Sequence, residues 1–426
     1  MVERWFACRE RGSTWSVEVM AGLSSFLALS YIFVVNPAIL GSAGMPRQGV
    51  FFATVLVSGL ATIVMGLCTN LPFVLAPGME INTYVAVYAI GVMHLSWREA
   101  LGAVFWSGVL FLILTLSGVR RRIVESFPRG LERGVAVAVA ALLTAVALRG
   151  AGVLRYDGIH LTGFGRPGAA AALLLITSLI VFALAAAGIR AAVLASIIGG
   201  SLVAAAMHYG GAAHTEGNRS GLLAAFGAAD LSVITRPSAW TIILVLFLID
   251  FYGSIAKLIG LVRNTGLMRN GRLPKLREAL LIDGMAATAG GLAGTTSVLV
   301  YAESGVGIAA GGRTGLTALT AGIAMLGCLV AAPLLAYVPA AAVGGALLHV
   351  AFRLMPRRTE WRSLDAWELV IIAGMAGIVF TTFSLDGALL FGLAVQIVRD
   401  FSNGVRLNAY AAGSVALLLI GWVLSK

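Results

Sequence analysis

Apolar runs long enough to cross about 30 Å of hydrocarbon recur from one end of the chain to the other, broken by short charged or glycine-rich segments. They predict membrane spans over residues 14–35, 50–68, 77–93, 98–118, 132–149, 168–187, 190–208, 239–261, 277–293, 303–311, 315–336, 340–355, 367–383 and 386–400. A further apolar run, 408–424, fits either an additional span or a helix lying at the interface. The predicted fold class is an all-α polytopic membrane protein of fourteen transmembrane spans.

Two of these spans do not read as plain helices. In "LPFVLAPGMEINTYVAVYAIGV" (71–92), Pro77 and Gly78 separate an extended-looking half from a helical half. In "TTSVLVYAESGVGIAAGG" (295–312) the same split falls at Ala302–Glu303. They are spans 3 and 10, the third of each half if the chain divides near residue 209. That division gives a first seven-span repeat at 1–208, a second at 209–407, and an additional C-terminal apolar or interfacial helix at 408–426. An odd number of spans per repeat makes the two halves inverted. Interrupted segments at matching positions are the best sequence pointer to a transporter's binding site. Irregular backbone at membrane depth persists only where protein or a cavity satisfies it.

Composition agrees with this reading. At 59% hydrophobic and 12% charged residues, 426 residues carry too little charge to cover a soluble surface. The net charge of +11 raises the question of a nucleic-acid partner, but the basic residues lie in short segments between spans. Arg120, Arg121, Arg122, Arg269, Arg272, Lys275, Arg357 and Arg358 all fall on the side of the N-terminus, which the positive-inside rule makes cytoplasmic. The expectation is a multi-pass protein of the cell (inner or plasma) membrane, in contact with lipid and with no nucleic acid. The opening "MVERWFACRERGSTW" is too charged for a secretory signal, so the first span is expected to be retained. Cys8, Cys68 and Cys328 are widely spaced and the histidines are scattered, so neither a disulfide nor a metal site is expected.

Charges inside spans are costly and are functional candidates by default. Glu80, Asp250, Lys257 and Glu303 stand out. Glu303 begins a half-helix after an extended run, where unsatisfied backbone N–H groups gather. Donors and a carboxylate side by side match a planar heterocycle whose edge alternates N–H and C=O. The plainer role for Glu303 is a helix N-cap. Asp250, in "VLFLIDFYGSIAKLIG", either serves substrate and proton or pairs with Lys257, seven positions along on roughly the same helix face. A buried acid can titrate nearer neutrality, which makes Asp250 the first candidate for proton coupling and Glu303 the second. Asn82, in "APGMEINTY", supplies an amide near the other half-helix start.

Glu80 and Lys257 would each be expensive alone and nearly cancel together, so they are predicted to form a charge pair across the cavity. The alternative turns Glu80 to its own helix start and lets Lys257 snorkel to the cytoplasmic face. One motif misleads. "GIAAGGRT" (307–314) nearly fits a phosphate-binding loop, yet no strand–loop–helix unit surrounds it, so no ATPase is expected.

The stretches "YIFVVNPAILGSAGMP", "LPFVLAPGMEINTY", "ALGAVFWSGVLFLILTLSGVRRRIVESFP", "GTTSVLVYAESGVGIAAGGRTGLTAL" and "FTTFSLDGALLFG" occur in order across both halves. In them the chain resembles the nucleobase–cation symporter 2 family (nucleobase/ascorbate transporters), specifically its hypoxanthine/guanine/adenine permease, AzgA-like branch. The resemblance implies a core domain from spans 1–4 and 8–11 and a gate domain from spans 5–7 and 12–14, with elevator-like movement of core against gate. It implies a substrate site between the two half-helices and span 8, with Glu303 as the base-binding glutamate, Asp250 as the span-8 acid and Asn82 in the third-span motif. It also implies a homodimer through the gate domain. The chain departs from the branch at Glu80, where a small residue is usual, at Gly253, where a second aspartate is usual, and at Lys257, which replaces a small or polar residue.

The expected function is a secondary active permease, not an enzyme, importing a purine-type nucleobase (guanine, hypoxanthine, xanthine or adenine) by proton symport. No cofactor is expected beyond the coupling ion, H+ ahead of Na+. The alternative is a carrier of the same fold for a different small nitrogenous, even cationic, solute, with Glu80 as the recognising acid.

Overall fold

A computed structural model gives the fold over residues 5–117, 129–157, 160–189, 192–207, 221, 223–262, 267, 273–301, 303–330, 342, 344–356, 358–382 and 385–404. The apolar run 408–424 lies outside the described residues, as do Arg120, Arg121, Arg122, Arg269, Arg272 and Arg357 of the orientation argument. The first half contributes α1 (Trp15–Leu29), α2 (Ile32–Ser42), α3 (Arg47–Thr69), β1 (Leu75–Pro77), α4 (Met79–Thr83), α5 (Trp97–Leu116), α6 (Arg129–Gly150), β2 (Leu154–Asp157), β3 (His160–Phe164), α7 (Ala169–Ala186) and α8 (Ala192–Ala206). The second contributes α9 (Pro237–Val262), α10 (Leu276–Ala293), β4 (Val298–Val300), α11 (Ser304–Ala309), α12 (Gly315–Gly327), α13 (Gly344–Leu354), α14 (Ala366–Thr382) and α15 (Leu385–Ser402).

Among the described residues, five helical stretches are long and apolar enough to cross a membrane: Trp15–Ser42, Arg47–Thr69, Trp97–Leu116, Arg133–Gly150 and Ala169–Ala186. Shorter apolar helices run over Ala195–Ala206, Pro237–Phe251, Gly315–Val330, Gly344–Leu354 and Ala366–Thr382. The first predicted span, 14–35, ends too early. After a step at Ser30–Tyr31 the helix continues to Ser42 with Pro37 inside it. Asn36 and Pro37 are buried there, on a helix packed against α3 and β1, and this packing outweighs the local cost of an internal proline. The apolar pattern also gave no hint of the antiparallel β2–β3 hairpin between α6 and α7. Tyr156 ties that hairpin to α14 by donating to the Phe380 carbonyl at 2.7 Å.

The helices pack in two sets. One holds α1, α2, α3, α5, α9, α10, α11 and α12 with the β1–α4 segment, and the other holds α6, α7, α8, α13, α14 and α15. They meet where α4 reaches α6, α8 reaches α1 and α9 reaches α15.

Helix ends in the first set are capped both by local and by distant residues. Thr14 caps α1 and the Ser96–Glu99 capping box starts α5. Asn70, in the left-handed conformation after α3, accepts from the Gly315 N–H at 2.7 Å and so joins the end of α3 to the start of α12. Glu18 of α1 accepts from Arg313 N at 2.8 Å, Thr314 N at 3.2 Å and the Thr317 hydroxyl at 2.5 Å. A buried carboxylate thereby satisfies the open N–H groups that begin α12.

The α3–α12 crossing is close because Gly66 and Gly315 face each other. A Cβ on Gly315 would overlap the Gly66 carbonyl oxygen. Gly315→Ala should therefore cost about 1–3 kcal/mol of stability by overpacking. A lowered melting temperature in detergent checks this, and an unchanged one would mean that the helices separate freely.

Candidate functional site

The site is built around two three-residue strands that the sequence keeps some 220 positions apart. β1 and β4 pair antiparallel in the register Leu75↔Val300, Ala76↔Leu299 and Pro77↔Val298. Gly78 N donates to Ser297 O at 3.3 Å and Tyr301 N to Val74 O at 2.9 Å, extending the ladder at both ends. Outward-facing amides find side chains: Leu75 N donates to Thr62 Oγ1 at 2.9 Å, Val74 N to Ser304 Oγ at 2.9 Å and Val300 N to Asp283 Oδ1 at 2.7 Å. Strand backbone this deep in an apolar fold is stable only with such internal partners. Each strand then turns at once into a short helix, β1 into α4 and β4 into α11. The turns deliver Glu80, Asn82 and Glu303 to one place, and α9 brings Asp250 and Lys257.

Lys257 Nζ lies 2.8 Å from Glu80 Oε1, with the two side chains 18% and 14% exposed. The same ammonium stands 5.5 Å from the Tyr301 ring centroid, within cation–π range. It is also within electrostatic reach of Glu303 and Asp250, so the four charged residues singled out by sequence share one locality. Glu303 occupies the N-cap position of α11 with helical backbone, and its side chain makes no capping bond. Its Oε1 instead accepts from the Tyr31 hydroxyl at 3.4 Å and from Arg353 of α13 at 3.5 Å. Tyr31 in turn lies 3.5 Å from the Tyr301 hydroxyl.

Asp250 is fully buried, and neither of its carboxylate oxygens has a hydrogen-bond partner among the described residues. The Ser297 hydroxyl lies beside it without closing a bond of standard geometry. Asn82 accepts from Thr296 through Oδ1, while its Nδ2 has no partner among the described residues. Below them Asn36 Nδ2 bridges Thr54 at 2.7 Å and Thr295 at 2.8 Å, which fixes the approach to β4.

Three residues of this locality, and Glu18 elsewhere in the same helix set, do not emerge from the sequence. Asp283, inside the predicted span 277–293, accepts from Val300 N and Ser254 and holds β4 against α9 and α10. Glu18 belongs to the same class, a charge within a span that serves as a cap. Their presence inside predicted spans was the available signal. Tyr31 lies in an apolar stretch with no signal of its own, and Arg353 sits two residues inside the end of the predicted span 340–355, where it reads as a cytoplasmic boundary charge.

Residues 16–355 match the Xan_ur_permease model, described as the permease family. The adenine permease AdeP of Escherichia coli (strain K12) is 34% identical over 411 residues, covering 95% of this chain and 91% of that protein. The guanine/hypoxanthine permease PbuO of Bacillus subtilis (strain 168) is 30% identical over 409 residues, covering 92% of each. Among solved structures, the transmembrane domain of the cyanobacterial bicarbonate transporter BicA superposes with a TM-score of 0.66 at 14% identity, covering 88% of this chain and 97% of that one. The murine anion transporter Slc26a9 does so with a TM-score of 0.66 at 12% identity, covering 91% and 68%. These structural likenesses establish a mostly helical membrane-transporter fold. The family match and the two relatives establish more: the chain is an integral membrane protein that belongs to the nucleobase/ascorbate transporter family of permeases, carriers rather than enzymes.

Proposed function

We propose that this protein imports a purine-type nucleobase (guanine, hypoxanthine, xanthine or adenine) by proton symport. The observation that carries the reading is the set of buried polar atoms without hydrogen-bond partners among the described residues beside the β1–β4 pair: both oxygens of Asp250, Asn82 Nδ2 and Ser297 Oγ. Each unmet donor or acceptor costs about 1–3 kcal/mol, and native proteins rarely keep several together without a use. A planar base presents N–H donors and ring-nitrogen or carbonyl acceptors along one edge, so it meets groups of both kinds at once. Glu303 adds an acceptor for its N–H groups. The names of the relatives point to the same class of solute, adenine for AdeP and guanine or hypoxanthine for PbuO.

The alternative of a cationic solute rested on Glu80 as its acid. That carboxylate already pairs with Lys257 at 2.8 Å, which favours the neutral base. Uptake of the four bases by cells that lack purine uptake of their own, expressing this chain, tests the reading. Saturable uptake of at least one is expected, and uptake of none by a well-expressed protein would overturn it.

Coupling falls to Asp250. With Glu80 paired to Lys257 and Glu303 to Arg353, Asp250 is the site carboxylate without a counter-ion among the described residues. An unpaired charge at membrane depth is expensive, and a proton removes it. Asp250→Asn should therefore abolish accumulation against a gradient while base exchange continues at lower affinity, and a protonophore should abolish accumulation by the wild type. Accumulation that survives the protonophore but needs sodium would reassign the ion. In this reading the helix set with Glu80, Asp250, Lys257 and Glu303 is the core (spans 1–4 and 8–11). It moves elevator-like against a gate of α6–α8 and α13–α15 (spans 5–7 and 12–14), through which two copies dimerise. The N-terminus is cytoplasmic, in the cell membrane.

A further inference from the structure

Arg353 comes from the helix set that does not carry the rest of the site. α13 packs on α6, α7 and α8, whereas Glu303 belongs to the β4–α11 segment, which packs on α1, α9 and α10. The contact at 3.5 Å between Arg353 and Glu303 Oε1 is therefore an ion pair between the two sets, made by the residue assigned to hold the base. Its two ends differ in environment. The Glu303 side chain is 7% exposed and the Arg353 side chain 49%. The guanidinium can return to water at little cost, while the carboxylate cannot be left alone without a desolvation penalty. Both donors to Glu303 Oε1 are long, 3.4 Å from Tyr31 and 3.5 Å from Arg353, and bonds of that length are readily exchanged for shorter ones.

We propose that Arg353 is an affinity-setting residue: it is the counter-ion of Glu303 and competes with the base for that carboxylate. A base that donates its N–H groups to Glu303 takes over the compensation that Arg353 supplies, and the cross-set ion pair opens as the base settles. The idea rests on Glu303 being the base acceptor. Among the described residues, Glu303 is the one ion-pair partner of Arg353, so loss of the guanidinium bears on this carboxylate.

Two measurements on the full-length protein test it. In uptake assays Arg353→Gln should lower KM by about two- to five-fold, the ratio set by losing a half-exposed ion pair of ordinary strength as competitor, while Arg353→Lys stays near wild type. A raised or unchanged KM for Arg353→Gln would overturn the proposal, since a group that helps bind the base raises it and a bystander leaves it alone. The second measurement needs no substrate. Thermal unfolding of purified wild type, Arg353→Gln, Glu303→Gln and the double variant should be non-additive, with the double variant more stable than Arg353→Gln, because a carboxylate left without its counter-ion is removed. Additive losses would overturn the pair. If the wild type carries none of the four bases, the proposed function fails, and the unfolding cycle still decides the pair.

Discussion

Glutamine at position 303 is expected to give a folded, normally expressed carrier whose affinity for its base is ten- to a hundred-fold weaker. Folding should survive because the Glu303 side chain makes no capping bond to α11 and its two donors sit at 3.4 and 3.5 Å, too long to hold the segment in place. The segment is held instead by β1–β4 pairing, by Val74 N donating to Ser304 Oγ and by Val300 N donating to Asp283 Oδ1. Binding should suffer because a charge-assisted hydrogen bond to the base contributes about 1.5–3 kcal/mol, and the amide offers a neutral acceptor and an N–H that opposes the base's own donors. Converted to affinity, that is roughly ten- to a hundred-fold. KM for uptake, normalised to protein in the membrane, checks it. A wild-type KM would remove Glu303 from the site.

Lys257→Met should do more harm than any other single change proposed for this locality. It leaves Glu80, a partly buried carboxylate at 14% exposure, deprived of the ammonium 2.8 Å away. Breaking a fully buried pair from one side costs about 3–5 kcal/mol, and this partly buried pair should cost a large share of that. Removing both charges should be milder. Lys257→Met combined with Glu80→Gln is expected to recover much of the lost stability, because no uncompensated charge remains. Strictly additive losses in thermal unfolding would mean that the two residues do not depend on each other.

How far the chain could be read in advance depended on the range of the interaction. Pro77–Gly78 and the Ala302–Glu303 junction mark the change from extended to helical backbone locally, and strands and short helices lie where those residues placed them. The pairing of β1 with β4 joins positions some 220 residues apart and has no local signal. Glu80 was the predicted partner of Lys257 on charge balance alone, with no local signal for the contact itself. Spacing within α9 allowed Asp250, while the fold puts Glu80 of α4 at 2.8 Å. Asp283 and Glu18 met the criterion that singled out the other buried charges, but only the structure shows their carboxylates bonded to backbone N–H groups of β4 and of the start of α12. Arg353 was hidden by its position near the end of the predicted span 340–355, where an arginine reads as a cytoplasmic boundary charge and not as a site residue.

Transport by the purified protein in liposomes is the most direct test of nucleobase carriage through this site. Labelled guanine, hypoxanthine, xanthine and adenine would each be offered to vesicles holding the wild type or Glu303→Gln, under an imposed inward proton gradient. At least one base should accumulate above its outside concentration in a saturable way, lose that accumulation when a protonophore is added, and enter the Glu303→Gln vesicles with a KM ten- to a hundred-fold higher. Entry of none of the four under proton or sodium gradients, or entry with the same KM in both proteins, would contradict it.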